Sequence, residues 1–341
     1  MVIGPDTPTS TTALIGEGLV ESPGVPPAGA PSAAIRGRSL GQIAWSRLKR
    51  DKGAMAGGVV VILLILVAIL APWIVALLGH PPDEFHQDPA LMDLNRGGVP
   101  KGTFGGMSGD FLFGLEPLNG RDLFSRVIYG SQVSLLIAFL ATLLSVVIGT
   151  VLGMLAGYFR GWVDGIIGRA MDVFLAFPLL LFAIVLVGVI PESAFGLTGN
   201  GLRIAILVFI IGFFNWGYIA RVIRGQVLSL REREFVDAAR SLGARGPYII
   251  FKEILPNIVA PILIYSTLLI PTNILFEAGL SFLGVGIRPP TPSWGEMLSS
   301  AVRFYNQPHF MFWPGMAIFL TVLAFNIFGD GLRDALDPKS R

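Results

Sequence analysis

The sequence predicts an all-α, multi-pass membrane protein with six transmembrane helices, and three observations carry that prediction. Of 341 residues, 53% are hydrophobic and only 14% charged, whereas an ordinary soluble domain carries about 25% charge. Six apolar segments, residues 57–78, 132–156, 171–190, 202–220, 259–282 and 310–328, are long enough to cross a hydrocarbon core, which takes roughly 20 helical residues. Lys and Arg sort unevenly between the segments that join them. With the N-terminus inside, the outer segments hold only Arg96, Lys101, Arg121, Arg126, Arg203, Arg288 and Arg303; the other basic residues lie inside. The positive-inside rule then puts both termini in the cytoplasm.

The elements follow in chain order. Residues 1–39 are rich in Pro, Gly, Ser, Thr and Ala. Such a stretch buries too little apolar surface to offset the entropy of ordering, which predicts a disordered cytoplasmic tail. The first apolar run starts too late, and is too long, for the core of a secretory signal. Residues 40–56, around Trp45 and its flanking Arg47, Lys49 and Arg50, predict a short interfacial helix leading into the first span. A long outer loop, 79–130, contains a glycine-rich stretch from Arg96 to Gly109 and ends in Gly120-Arg121-Asp122. That tripeptide reads as a turn, with Asp122 the N-cap of the following helix. Gly149 and Gly153 interrupt the second span, Pro178 the third, and Pro261 and Pro271 the fifth. Breakers of this kind are tolerated where neighbouring helices satisfy the freed backbone groups, so the spans form a packed bundle. Between the second and third spans, Asp164, Arg169 and Asp172 are expected to form surface pairs near the headgroups, worth little energetically.

The loop between the fourth and fifth spans, 221–258, is polar and helix-forming. From Leu228 to Leu242 it reads as an amphipathic helix, with Phe235, Ala238, Ala239 and Leu242 on one face. Gly243 stands where a left-handed cap would end that helix, and Pro247 suits the first turn of a second helix running towards Pro256. Two short helices joined at a glycine make a knob: small residues admit a partner closely, and the surrounding charges fix its register.

Chemistry of other kinds is excluded by residue type. The chain has no cysteine, so disulfides, zinc–thiolate sites and thiol nucleophiles are ruled out. It has no Gly-x4-Gly-Lys-Ser/Thr loop to cradle a nucleotide, and no His-Glu-x-x-His pair to hold a catalytic zinc. Its three histidines, His80, His86 and His309, fall outside the predicted spans. His80 and His86 near Asp83, Glu84 and Asp88 read as an ordinary polar loop before a metal site. No catalytic residue, resident cofactor or nucleic-acid surface is expected.

Glu277 lies inside the fifth span near Asn273, and an ionisable group there is by default a functional candidate. Both are expected to face a water-filled pathway. Asn215, Trp216 and Asn326 read as contacts between spans. The stretch from Gly284 through Trp294-Gly295 is expected to be a rigid outer turn, with Trp294 at the membrane interface.

The 235–256 segment resembles the coupling motif of ATP-binding-cassette importers: Glu-Ala-Ala, three residues, Gly, then Leu-Pro ending thirteen residues after that glycine. Here the pattern is Asp237-Ala238-Ala239, Gly243 and Leu255-Pro256. Asp stands where Glu is usual, and Glu253 where the wider family has an apolar residue or histidine. GRDLFSRVIYGSQVSL, GMLAGYFRGWVD, LSFLGVGIRPPTPSWGEML and FNIFGDGLRDALDP extend the likeness to the C-type permeases of dipeptide/oligopeptide importers, from about Trp45 to Arg341. One stretch departs: before Gly120-Arg121-Asp122 the usual Gly-Thr-Asp plus two residues is replaced by Gly114-Leu115-Glu116-Pro117-Leu118-Asn119.

The resemblance implies a type I importer permease (MetI-like) bundle over 131–330, a cytoplasmic tail over 329–341, and a place in a bacterial inner membrane. It also implies three kinds of partner: a second permease, two ATPase subunits that bind ATP and Mg, and an extracytoplasmic solute-binding protein that meets the outer face at Gly120, Arg121, Asp122, Trp294 and Gly295. Short peptides are the implied solute, although related permeases carry nickel chelates, glutathione or haem. The rival reading is a self-sufficient secondary transporter or channel using Glu277, which calls for inverted repeats; the halves show no convincing similarity.

Overall fold

Residues 40–189 and 193–337 are described in a computed structural model; the tail expected at 1–39 lies outside the described residues. Long helices dominate: α1 (Leu40–Leu48), α2 (Lys52–Leu78), α3 (Leu123–Tyr158), α4 (Trp162–Ala176), α5 (Leu179–Val189), α6 (Gly199–Leu230), α7 (Glu234–Ser241), α8 (Gly246–Tyr248), α9 (Leu255–Phe282), α10 (Trp294–Ala301) and α11 (Pro308–Leu336). Two short antiparallel hairpins, β1–β2 (Met92–Asp93 with Val99–Pro100) and β3–β4 (Ser193–Ala194 with Leu197–Thr198), lie in the connections. Five helical stretches are long and apolar enough to cross a membrane, and α4 with α5 makes a sixth if that bent pair is one span.

At the centre, α3 and α6 run parallel, and glycines set how closely they approach. A Cβ on Gly149 would meet Ile219 Cβ at 2.7 Å, on Gly153 Ile223 Cβ at 2.9 Å, and on Gly157 Val227 Cβ at 2.7 Å. Each step of four on α3 matches a step of four on α6, so small residues keep the two backbones in contact along one stripe. Ser145 ties the same seam, giving its hydroxyl to Gly212 O at 2.7 Å. These glycines therefore do not interrupt the second span. The helix runs unbroken through them, because a small side chain where another backbone passes costs less than parting the helices.

Other expectations are revised at the helix ends. The segment expected as the third span is two helices bent by 83° at Phe177-Pro178, since proline removes a donor and forces its predecessor out of the helical region. The fifth span extends back to α8 through one π-type turn, Ile249–Ile254. That wider turn lies directly before Pro256, whose missing N–H would leave an α-turn a bond short. The last helix runs on to Leu336, so the first part of the tail expected over 329–341 continues the helix of the last span. The interfacial segment is narrower than expected: α1 stops at Leu48, a turn follows, and Asp51 caps α2 by accepting from Ala54 N at 3.0 Å.

Around the α3–α6 pair, α9 packs on α3, α11 on α9 and α2, and α4 on α6. α10 wedges between α9 and α11. One face of the bundle is built from 79–122, the β3–β4 hairpin and 283–307. The opposite face carries 159–161 and 231–245.

Candidate functional site

The amphipathic helix between the fourth and fifth spans is shorter than its sequence pattern suggests. The preceding span continues to Leu230, and α7 begins at Glu234 after a turn. Gly243 ends it with φ +83. Gly243 N donates to Arg240 O at 2.9 Å and Ala244 N to Ala239 O at 3.0 Å, which is the paired closure of a Schellman cap.

Of the apolar stripe, only Ala239 packs against the chain's own core. Phe235 and Ala238 are exposed and Leu242 is 89% exposed. α7 is anchored instead by Val236, which is fully buried among Met154, Ile219, Ile223, Val227, Ile250 and Ile254 of α3, α6 and the helix leading into α9. Asp237 is exposed and accepts from Arg240 at 3.1 Å. Leu255 and Pro256 stand within the continuous helix below the knob, with Leu255 packed against the same cluster.

Arginines fix the knob to the ends of the long helices. Arg231 is 5% exposed and donates to Gly157 O at 2.7 Å, satisfying a carbonyl in the last turn of α3. Arg240 sits over the Tyr158 ring, 5.9 Å from its centroid. Arg160 pairs with Glu232. Asp164 is held in a two-bond grip by Arg224 at 2.5 and 2.7 Å, and Asp172 by Arg221 at 2.6 Å. The acids of the 158–172 loop thus pair with α6 and not with Arg169, because α6 passes beside them.

In mid-bundle, Glu277 and Asn273 are wholly buried within the subunit. The Glu277 carboxylate accepts from Ser134 Oγ of α3 and Ser281 Oγ, both at 2.9 Å. Ser134 also accepts from Trp294 N at 3.2 Å, so α3, α9 and the start of α10 meet at this acid. Asn273 donates to Thr142 Oγ1 and accepts from Asn215, each at 2.9 Å. Asn215 and Trp216 do join spans, while Asn326 is exposed on this chain and makes no such contact within it.

The loop-bearing face is organised by buried charge. Asp122 caps α3 as expected, accepting from Phe124 N at 3.2 Å and Ser125 N at 3.3 Å. Arg121 turns away from it and grips Glu116 with two bonds, 2.6 and 2.9 Å. Arg126, fully buried, lies 3.3 Å from both Glu116 and Glu296 and donates to Pro290 O at 3.0 Å. It ties the start of α3 to the 79–122 segment, the 283–293 segment and α10. Burial raises the Glu296 carboxyl above its usual range, with Arg126 pulling it partly back. Gly120 has φ +66 against the His86 backbone. Trp294 is 1% exposed, its indole N–H given to Val127 O at 3.0 Å, so its ring packs inside the bundle. A Cβ on Gly295 would stand 2.7 Å from Ala278 Cα, so glycine lets α10 lie against α9. The segment expected as an outer turn is therefore partly a buried helix. His80 and His86 pack in an aromatic group with Phe111, and among the described residues no cluster of acids and histidines could hold a metal ion.

Sequence reasoning missed Val236, Arg231, Arg126, Glu116 and Glu296. Glu116 carried a usable signal: it is the acid of the altered Gly-Leu-Glu stretch. The others lie in runs where periodicity marks a stripe without naming what covers it.

Two families match the sequence. The binding-protein-dependent transport system inner membrane component matches residues 149–341, and the N-terminal transmembrane domain of oligopeptide transport permease C matches residues 39–96. The glutathione transport system permease protein GsiD of Shigella flexneri serotype 5b (strain 8401) is 44% identical over 296 residues, covering 86% of this chain and 89% of that protein. GsiD of Salmonella typhimurium (strain LT2) is likewise 44% identical over 296 residues, with the same coverage of both chains. In fold the chain resembles a chain of the MetNI methionine ABC transporter in inward-facing conformations, with TM-score 0.53 and 18% identity over 63% of this chain and 98% of that one.

Proposed function

The chain belongs to the binding-protein-dependent transport system inner membrane components, and from that premise we propose that separate ATPase subunits drive it through α7. It is a membrane-spanning permease subunit of an ABC importer, and by family a transport subunit, not an enzyme. Its partners are a second permease, two ATPases and an extracytoplasmic binding protein. ATP and Mg on the ATPases supply the free energy. The α7 side faces the cytoplasm of a bacterial inner membrane, as do both termini, in keeping with where the basic residues fall.

One observation carries this reading. Phe235, Ala238 and Leu242 stand out from the bundle, while buried Val236, with Ala239 packed beside it, roots α7 between α3, α6 and the start of α9. A helix with a largely uncovered apolar stripe and a buried root transmits a push on the stripe to three long helices. Asp237, Ala238, Ala239 and Gly243 form and shape the docking surface. Leu255 and Pro256 lie where the motion enters the fifth span.

The 44% identity to glutathione permeases, with the match to the oligopeptide permease N-terminal domain, supports short peptides as solute, tripeptides of the glutathione kind included. Gly120, Arg121, Asp122, Trp294 and Gly295 shape the face that receives the binding protein. Glu277 and Asn273 act on the pathway by holding its walls together, given their burial. The test is uptake into proteoliposomes holding both permeases and the ATPases, with the loaded binding protein outside. ATP-dependent accumulation of a tripeptide, abolished by Ala238→Arg with the chain still inserted, supports the reading. Uptake by this chain alone under a proton gradient refutes it.

A further inference from the structure

We infer that the solute touches this subunit at the elbow of its broken span, in a cleft whose polar contact is Asn215; this rests on the importer reading above. The cleft, about 550 Å³, is lined by Phe174, Phe177, Pro178, Phe214, Asn215 and Phe276 among others. It opens where α4 and α5 meet at 83°. Phe177 is 45% exposed and Pro178 is also exposed in the chain. Non-helical backbone at membrane depth persists only against protein or water, because lipid cannot satisfy its polar groups. The elbow must therefore face a wet pathway or another subunit, and the chemistry of its walls favours the pathway.

Asn215 lies half-way along α6 and heads a chain of hydrogen bonds whose direction is forced. Thr142 gives its hydroxyl to Ala138 O at 2.7 Å, so its oxygen accepts from Asn273 N–H. The Asn273 carbonyl then takes an N–H from Asn215. The Asn215 carbonyl oxygen is left without a hydrogen-bond partner among the described residues, on a side chain lining the cleft. Around it stand aromatic faces and no charged group among the lining residues. An acceptor amide between aromatic rings suits the N–H of a peptide bond and apolar side chains. A bare cation or an isolated anion would meet no countercharge there. Glu277, buried and doubly bonded, offers the solute nothing.

The experiment uses the absence of cysteine from the sequence. Phe177→Cys and Leu180→Cys place single thiols on the elbow, and Leu63→Cys places one on the exposed face of α2. Each variant is assembled with its partner permease, ATPases and binding protein in proteoliposomes. Modification of this chain by a charged, water-soluble methanethiosulfonate is followed by mass, since thiolate reactivity needs water. The elbow thiols are expected to react at least about tenfold faster than Leu63→Cys, and to slow when trialanine is being imported. Asn215→Leu is expected to lower trialanine uptake about tenfold, the loss of roughly one hydrogen bond. Elbow thiols as inert as Leu63→Cys, in a complex that still imports trialanine, would overturn the proposal and make the elbow a seam between subunits. Failure of the importer reading shows separately, as no ATP-dependent uptake by the parent complex.

Discussion

Replacing Gly243 by alanine separates the shape of the docking knob from the stability of the bundle. No atom lies within 4 Å of a Cβ built at Gly243, so the substitution meets no clash. The cost is conformational: φ is +83, and a left-handed backbone costs a residue with a Cβ roughly 1–2 kcal/mol. That strain falls on the two cap bonds, to Arg240 O and Ala239 O, and relaxes by fraying the last turn of α7. The frayed residues include Leu242, already 89% exposed, so the core loses little and the melting temperature should fall by at most a few degrees. The population holding the docking geometry should fall by a factor of about 5–30. ATPase capture and ATP-dependent uptake in proteoliposomes measure that loss. Gly243→Asn, whose side chain tolerates the left-handed region, should recover part of it. Wild-type capture and uptake in Gly243→Ala, or equal damage from both variants, would refute the reasoning.

Other substitutions test the rest of the architecture. Gly153→Val forces a side chain against Ala220 O, 2.7 Å from the new Cβ, and should cost about 1–3 kcal/mol of overpacking; Gly165→Ala, with nothing within 4 Å, should leave the detergent melting temperature unchanged or raised. Arg126→Met leaves Glu116 and Glu296 buried with less compensation and should cost roughly 3–5 kcal/mol, seen as lost yield or an early melt; Arg96→Met, at an exposed pair with Asp93, should stay within about 0.5 kcal/mol. Because burial raises the Glu296 carboxyl, folding favours its protonated form. The stability this gives is fully present below about pH 4.3 and is lost as pH rises through the raised folded value. Glu296→Gln escapes that loss, so its melting temperature should gain on the parent's as pH rises from about 4.3 through the raised value. A shift the other way would mean that attraction to Arg126 outweighs burial.

The sequence by itself determined the approximate places of the long apolar helices, the cap at Asp122 and the left-handed turn at Gly243. Each follows from a local rule: apolar length, a side chain that accepts backbone N–H groups, a residue without a Cβ. It also held the coupling pattern, which is a short run of residues. Only the tertiary structure decided which side of a stripe is covered. Phe235 and Val236 are neighbours of similar apolarity, yet one is exposed and the other rooted among three helices. Gly149 and Gly153 read as breaks until α6 is seen lying against them. Glu277 and Trp294 are indistinguishable in sequence from a pathway acid and an interfacial ring; α3, far away in the chain, holds both inward, Ser134 bonding the Glu277 carboxylate and the Trp294 backbone N–H while Val127 O takes the indole N–H. Periodicity reports that a surface is apolar or polar, whereas what meets that surface depends on segments more than a hundred residues apart.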